Sequence, residues 1–317
     1  MRIVALLALL ALQPWSTDAA ARIGVIEVQG VRLQYVDWGG YGEPLVLVPA
    51  RCDTPFVFDD LAPLLLNRFR VLGLAARGCG GSGPASDGYG IDLQIRELVG
   101  FLDALHIQRA TFAGHSAGGG KVVRLARLFP SRVANIVTFD IIYTGVPEQF
   151  ESKFQAAIAS QNTTTVQFSL ESHRREFEAW ELGTWSAALE REFREQTETS
   201  ADGTLRYRPL PEGWQRAFIE DVGRGRYHET AITHPALFFV ARDLDIERLK
   251  QFPPGLQHDL RPMAEAVGRA RAEQIADYQK NGPHVRVVWL DKASHYLFVD
   301  RARDVAARMV SFLEETR

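Results

Sequence analysis

The stretch that most limits what this chain can become is Ala110–Gly120, which reads Ala-Thr-Phe-Ala-Gly-His-Ser-Ala-Gly-Gly-Gly. A short apolar run ends in Gly114-His115-Ser116-Ala117-Gly118, and a helix-forming stretch follows from Lys121 to Phe129. Between a strand and a helix, G-x-S-x-G holds a serine hydroxyl on a sharp turn, clear of the sheet edge. The flanking glycines let strand and helix pass close together. The helix aims its first amides, and the positive end of its dipole, at the place where an oxyanion would form. Without such flanks the same five residues describe only an ordinary strand-to-helix turn.

The rest of the chain repeats that alternation. Strands are expected at Gly24–Gln29, Val31–Asp37, Leu45–Val48, Val71–Ala75, the Ala110 run, Asn135–Phe139, Pro235–Val240 and Val285–Leu290. Apolar spacing predicts helices at Phe56–Asn67, Ile91–Leu105, Lys121–Phe129, His258–Lys280 and Arg303–Glu315. Strands alternating with helices at this pace predict an α/β fold, its sheet largely parallel and covered on both faces. From Pro147 to Tyr227 the rhythm breaks: no strand stands out and several segments look helical. The expected organisation is therefore a core formed by 22–146 and 228–317, with a mostly helical insertion at 147–227.

The first residues read as an address. Met1-Arg2, the apolar run Ile3–Leu12 and the small residues Ala19 and Ala21 resemble a secretory signal over residues 1–21, cut near Ala20–Ala21. A retained N-terminal anchor is the alternative. Export changes the meaning of the two cysteines, Cys52 and Cys79. Each follows an expected strand, so their loops should emerge at the same sheet edge. A disulfide is expected if the Cα atoms lie within about 7 Å. The formal charge of -3, with no basic stripe, gives no hint of nucleic acid. No later segment reaches about 18 uninterrupted apolar residues, so no further membrane insertion is expected.

Residues Ile26–Phe312 resemble the α/β-hydrolase superfamily. The resemblance rests on Gly114-His-Ser-Ala-Gly118, Arg77-Gly-Cys-Gly-Gly-Ser82 and Ala293-Ser-His-Tyr-Leu-Phe298. It implies an eight-stranded, mostly parallel sheet with helices on both faces and a helical cap inserted after the strand that follows the serine's helix. It also implies a triad in the chain order Ser, acid, His. Ser116 is then the nucleophile and His295 the base, while His115 is expected to point away from the site.

For the acid, the resemblance favours the turn after Leu237–Val240, which reads Ala241-Arg-Asp-Leu-Asp245 and is off by one residue. Asp245 is preferred, Asp140 comes next because some relatives place the acid after the earlier strand, and Asp243 is last. The oxyanion hole would use the Ala117 N–H and, where relatives carry His-Gly, the Arg51 N–H after Pro49-Ala50.

Serine at the corner, not aspartate, argues against epoxide hydrolase or haloalkane dehalogenase chemistry. The favoured expectation is an exported serine hydrolase acting on a small, fairly apolar carboxylic ester, without cofactor or metal. An aminopeptidase- or amidase-like enzyme and a catalytically silent binding protein are the alternatives. Phe150, Phe154, Phe168, Phe177, Trp180 and Trp185 could line an acyl pocket or simply pack the cap. The charged runs His173–Glu176 and Glu190–Glu195 are expected to form a solvated helical face.

Overall fold

The computed structural model describes residues 21–141, 169–181, 183–242, 244–250 and 254–317. Six strands come first: β1 (Arg22–Val28), β2 (Val31–Gly39), β3 (Glu43–Val48), β4 (Phe69–Leu74), β5 (Ala110–His115) and β6 (Val133–Phe139). A two-residue turn joins β1 to β2, and α1 (Ile91–Ala104) and α2 (Ala117–Leu128) flank β5. Beyond β6 the described residues hold α3 (Leu170–Glu181), α4 (Ala187–Gln196), a small hairpin of β7 (Thr197–Thr199) and β8 (Leu205–Tyr207), and α5 (Trp214–Gly223). The α/β rhythm resumes with β9 (Ala236–Arg242), α6 (Leu244–Leu249), α7 (Pro254–Asn281), β10 (Val285–Asp291), α8 (Leu297–Asp300) and α9 (Ala302–Glu315).

Among the described residues the main sheet has eight strands in the order β1-β2-β4-β3-β5-β6-β9-β10. Strand β2 pairs antiparallel with β1 and β4, and every other ladder is parallel. Successive side chains on a strand face opposite ways, so each central strand feeds two cores. Val46 and Val48 join one apolar cluster with Ile95, Val122 and Tyr278, from α1, α2 and α7. Leu45 and Leu47 join the other with Phe56, Phe58, Met309 and Phe312. The sheet is thus buried on both faces, as parallel sheets require.

Two expectations need correction. Phe56–Asn67 is not a continuous helix but two short 3-10 turns, Pro55–Phe58 and Ala62–Leu64. Pro63 lacks an N–H and disfavours helical geometry at Ala62, which interrupts a longer helix. The 147–227 stretch does contain strands, the β7–β8 hairpin, too short for sequence periodicity to register. Residues up to 168 of that stretch lie outside the described residues, as does the expected signal through residue 20.

Helix α4 is fastened to the core by Arg191. Its guanidinium lies 3.7 Å over the Phe56 ring and pairs with Asp59 at 2.8 Å. Trp38 Nε1 donates to the same carboxylate at 2.7 Å.

Cys52 and Cys79 form a disulfide, with Cα atoms 5.3 Å apart and a sequence separation of 27. It ties the loop after β3 to the loop after β4. Closing a loop of that length is worth about 3.5 kcal/mol in chain entropy. Replacing both cysteines by serine should therefore lower unfolding stability by about 2–4 kcal/mol, read from denaturant midpoints. An unchanged midpoint would count against the bridge as a structural element.

Candidate active site

Strand β5 ends at His115, and Ser116 takes φ 50, ψ -116 before α2 begins at Ala117. A non-glycine residue in that region is strained, and it persists only where its surroundings hold it. Here Ser116 N–H donates to Phe139 O at 3.0 Å, pinning the corner to the end of β6. A Cβ at Gly118 would collide with the carbonyls of Val48 and Pro49, and one at Gly114 with the backbone of Gly118 and Gly119. Both glycines are therefore required by close backbone approach. The Ala117 N–H, at the head of α2, is one of the helix amides without an intrahelical partner.

The next strand brings a carboxylate to His295. Asp140 follows β6, is fully buried, and also has positive φ, at 42°. Its N–H donates to Phe239 O at 2.8 Å, and its Oδ1 accepts from Ala241 N–H at 3.1 Å, so β9 holds it from one side. Its Oδ2 lies 2.7 Å from His295 Nδ1. Burial alone would raise the Asp140 pKa. The Arg271 guanidinium, the bond from His295 and the Ala241 amide outweigh it and hold the carboxyl well below its usual range. An ionised carboxylate only accepts, so Nδ1 carries the proton and Nε2 is left as the basic nitrogen.

This corrects the preference for Asp245. That residue falls in the first turn of α6, and the ring nitrogen it would have to engage is taken by Asp140. Asp243 lies outside the described residues. Asp140 stands at the end of β6, between β5, which carries Ser116, and β9, whose backbone holds it.

His295 sits in the loop after β10, with its ring centroid 4.6 Å from that of His115, the residue before Ser116. Ser116 and His295 are thus gathered around the end of one strand, the first by Phe139 and the second by Asp140. Among the described residues no hydrogen bond joins Ser116 Oγ to the ring. Such bonds are commonly loose until substrate is present.

Sequence reasoning missed several supporting groups. His115 does not merely point away: its Nε2 donates to the His295 backbone carbonyl at 3.1 Å and so holds the histidine loop. Burial, and then His295, keep its pKa well below the ordinary value, which suits this neutral role. Arg271, on α7, donates to Ala241 O at 3.0 Å. Nothing in the local pattern of α7 marks it, because its partners arrive from β6 and β9.

A buried acidic cluster adjoins the site. Asp53 accepts from Tyr296 Oη at 3.3 Å and from Gln196 Nε2 at 3.2 Å. Gln196 also bonds Glu192, and Glu192 takes the Thr54 N–H at 2.8 Å and the Thr54 hydroxyl. Burial pushes both carboxyls up, and the charge of Asp53 adds to the rise at Glu192. The solvated-face expectation for 190–195 thus fails at Glu192, while Arg194 and Glu190 do pair on the surface. It fails also at His173, which stacks on Phe193 with centroids 3.8 Å apart.

Phe177 packs 5.4 Å from Trp185 and 5.3 Å from Tyr296, beside the site. Phe150, Phe154, Phe168 and the Trp180 side chain lie outside the described residues. Arg51 lies two residues beyond Pro49, whose carbonyl abuts Gly118. Among the described residues no group of acidic, histidine or cysteine side chains could hold a metal, and no helix is long and apolar enough to cross a membrane.

Two measurements follow from this geometry. Gly118→Ala should cost about 2 kcal/mol or more, since the collision is with backbone that cannot swing aside, and a wild-type melting curve would refute it. For Asp140, the folded pKa lies below that of the unfolded chain. Its contribution to stability is complete above about pH 4 and lost as pH falls below that. Asp140→Asn should therefore flatten the acid limb of stability against pH; an unaltered limb would contradict the assignment.

A family model described as alpha/beta hydrolase fold matches residues 43–224. A non-heme chloroperoxidase from Streptomyces lividans is 31% identical over 147 residues, 41% of this chain and 52% of that protein. A haloperoxidase from Mycobacterium phage D29 is 38% identical over 32% of this chain and 37% of its own. In those matches the chain spans about half or less of the relative. An N-formylmaleamate deformylase from Pseudomonas putida is 25% identical over 92% of this chain and 96% of its own. The crystal structure of E-2-(acetamidomethylene)succinate hydrolase superposes with a TM-score of 0.70 at 18% identity, covering 93% of this chain and 99% of that one. With the family model covering more than half its length, the chain belongs to the α/β-hydrolase fold family.

Proposed function

We propose that this protein is an exported serine hydrolase that cleaves a small carboxylic ester through an acyl-enzyme. The observation that carries the reading is the pairing of His295 Nδ1 with the buried carboxylate of Asp140, beside a serine held at φ 50. In this reading Ser116 Oγ attacks the ester carbonyl and passes its proton to His295 Nε2. Asp140 fixes the tautomer and stabilises the imidazolium that results. The Ala117 and Arg51 N–H groups receive the oxyanion. Nε2 then returns the proton to the departing alcohol, and a water activated by the same nitrogen releases the acid. No cofactor enters.

The disulfide supports export, because such bonds persist in oxidising compartments. The N-terminal Met1-Arg2 and apolar run support it independently. A second reading, cleavage of an amide, draws support from the deformylase that matches along 92% of the chain.

Fluorophosphonate labelling with peptide mapping tests the nucleophile, and the label is expected on Ser116. Turnover of short p-nitrophenyl esters against aminoacyl-anilides separates ester from amide chemistry. Ser116→Ala and His295→Ala should each lower kcat by about 10³-fold or more. Asp140→Asn should also lose orders of magnitude, while Asp245→Asn should stay within about threefold of wild type. Retention of activity by Asp140→Asn, or its loss in Asp245→Asn, would reject the triad as drawn.

A further inference from the structure

Arg51 carries a guanidinium that the mechanism above leaves unused. Its main chain is held from both sides, by the turn pressed on Gly118 and by the disulfide at the next residue. Its guanidinium offers five N–H donors in one plane. Yet the group makes no hydrogen bond or ion pair among the described residues. It lies 5.8 Å from the centroid of the Trp214 ring and 5.5 Å from that of Phe218, both on α5. Asp53, the carboxylate whose charge acts on it most, spends its own oxygens on Gln196 and Tyr296. Tyr227 and Tyr296 are the other ionisable groups facing it.

A largely enclosed guanidinium is costly unless its donors are satisfied. Two rings beside a guanidinium take none of its N–H donors, and the donor edge is the part that takes a carboxylate in two parallel bonds. Its direction also matters. In the sheet, β3 and β6 lie on opposite sides of β5. Arg51 follows β3, while Asp140 and the histidine it holds stand at β6. The departing alcohol must face His295 for its proton, so the acyl chain extends the other way, toward Arg51. In that reading the Arg51 N–H serves the scissile carbonyl, and the guanidinium of the same residue, beside Trp214 and Phe218, is the cation nearest to hand for a group on the acyl chain.

We propose that the Arg51 guanidinium binds a carboxylate at the far end of the acyl chain, making the preferred substrates monoesters of short dicarboxylic acids. Hydrolysis consumes one water and releases the alcohol and the dicarboxylic acid. This assignment rests on the hydrolase reading above and replaces its fairly apolar acyl group with an anionic one.

The test compares mono-p-nitrophenyl glutarate with p-nitrophenyl pentanoate, which share chain length and leaving group, after subtraction of the uncatalysed rates. The full-length protein should favour the anionic ester by about tenfold or more in kcat/KM, mostly through KM. In Arg51→Gln that ratio should fall to about one or below, and Arg51→Lys should be intermediate because it keeps the charge but loses the fork. Fluorophosphonate labelling of Ser116 shows that each variant is folded.

A wild-type preference for the neutral ester, or a ratio unchanged in Arg51→Gln, overturns the proposal. If neither ester turns over and Ser116 is not labelled, the hydrolase reading has failed by itself. Calorimetry with glutarate then decides the Arg51 site: binding by wild type that Arg51→Gln lacks supports it, and no binding by wild type overturns it.

Discussion

The backbone corner at Ser116 is the constraint on which the remaining geometry depends. A serine in the left-handed region costs about 1–3 kcal/mol, so something must hold it there. Two things do. The Ser116 amide is bonded to Phe139, and the absence of side chains at Gly114 and Gly118 lets α2 press against the carbonyls of Val48 and Pro49. The same close approach brings the turn carrying Arg51 to the head of α2. One tight contact therefore sets the hydroxyl, the Ala117 amide and the opposite loop together.

The charge arrangement follows from where β6 ends. Asp140 is buried, and burial by itself would favour its protonated form, which could not orient an imidazole as an acceptor. Arg271 and the Ala241 amide reverse that preference from α7 and β9. His115 steadies the opposite end of the histidine loop through its main chain. For the acid, its partners outweigh burial and keep it ionised; for His115, burial outweighs the nearby Asp140 carboxylate and keeps the ring neutral.

Helix α4 is not an independent appendage to this site. Glu192 and Gln196 on α4 reach Thr54 and Asp53, directly after the disulfide-tethered turn. Two buried carboxyls with raised pKa values sit at that junction, and Gln196 bridges them. The position of α4 and the position of the Arg51 turn are thus set by one hydrogen-bonded cluster.

Sequence alone determined the strand-to-helix corner, the alternation of the core and the fold class, because glycine spacing and apolar periodicity are local properties of the chain. The facing loops of Cys52 and Cys79 were readable for that reason, whereas Ser116 and His295 as a candidate pair came from the resemblance of their motifs to the family's. Only the tertiary structure shows Asp140 paired with His295. Both aspartates follow strands and both satisfy the chain order, and no local spacing records which of them meets His295. Arg271, Glu192 and the Arg51 guanidinium beside Trp214 and Phe218 were equally invisible to pattern. Each has its meaning from groups distant in sequence that burial brings within reach, and no local spacing records which charges share a low-dielectric interior.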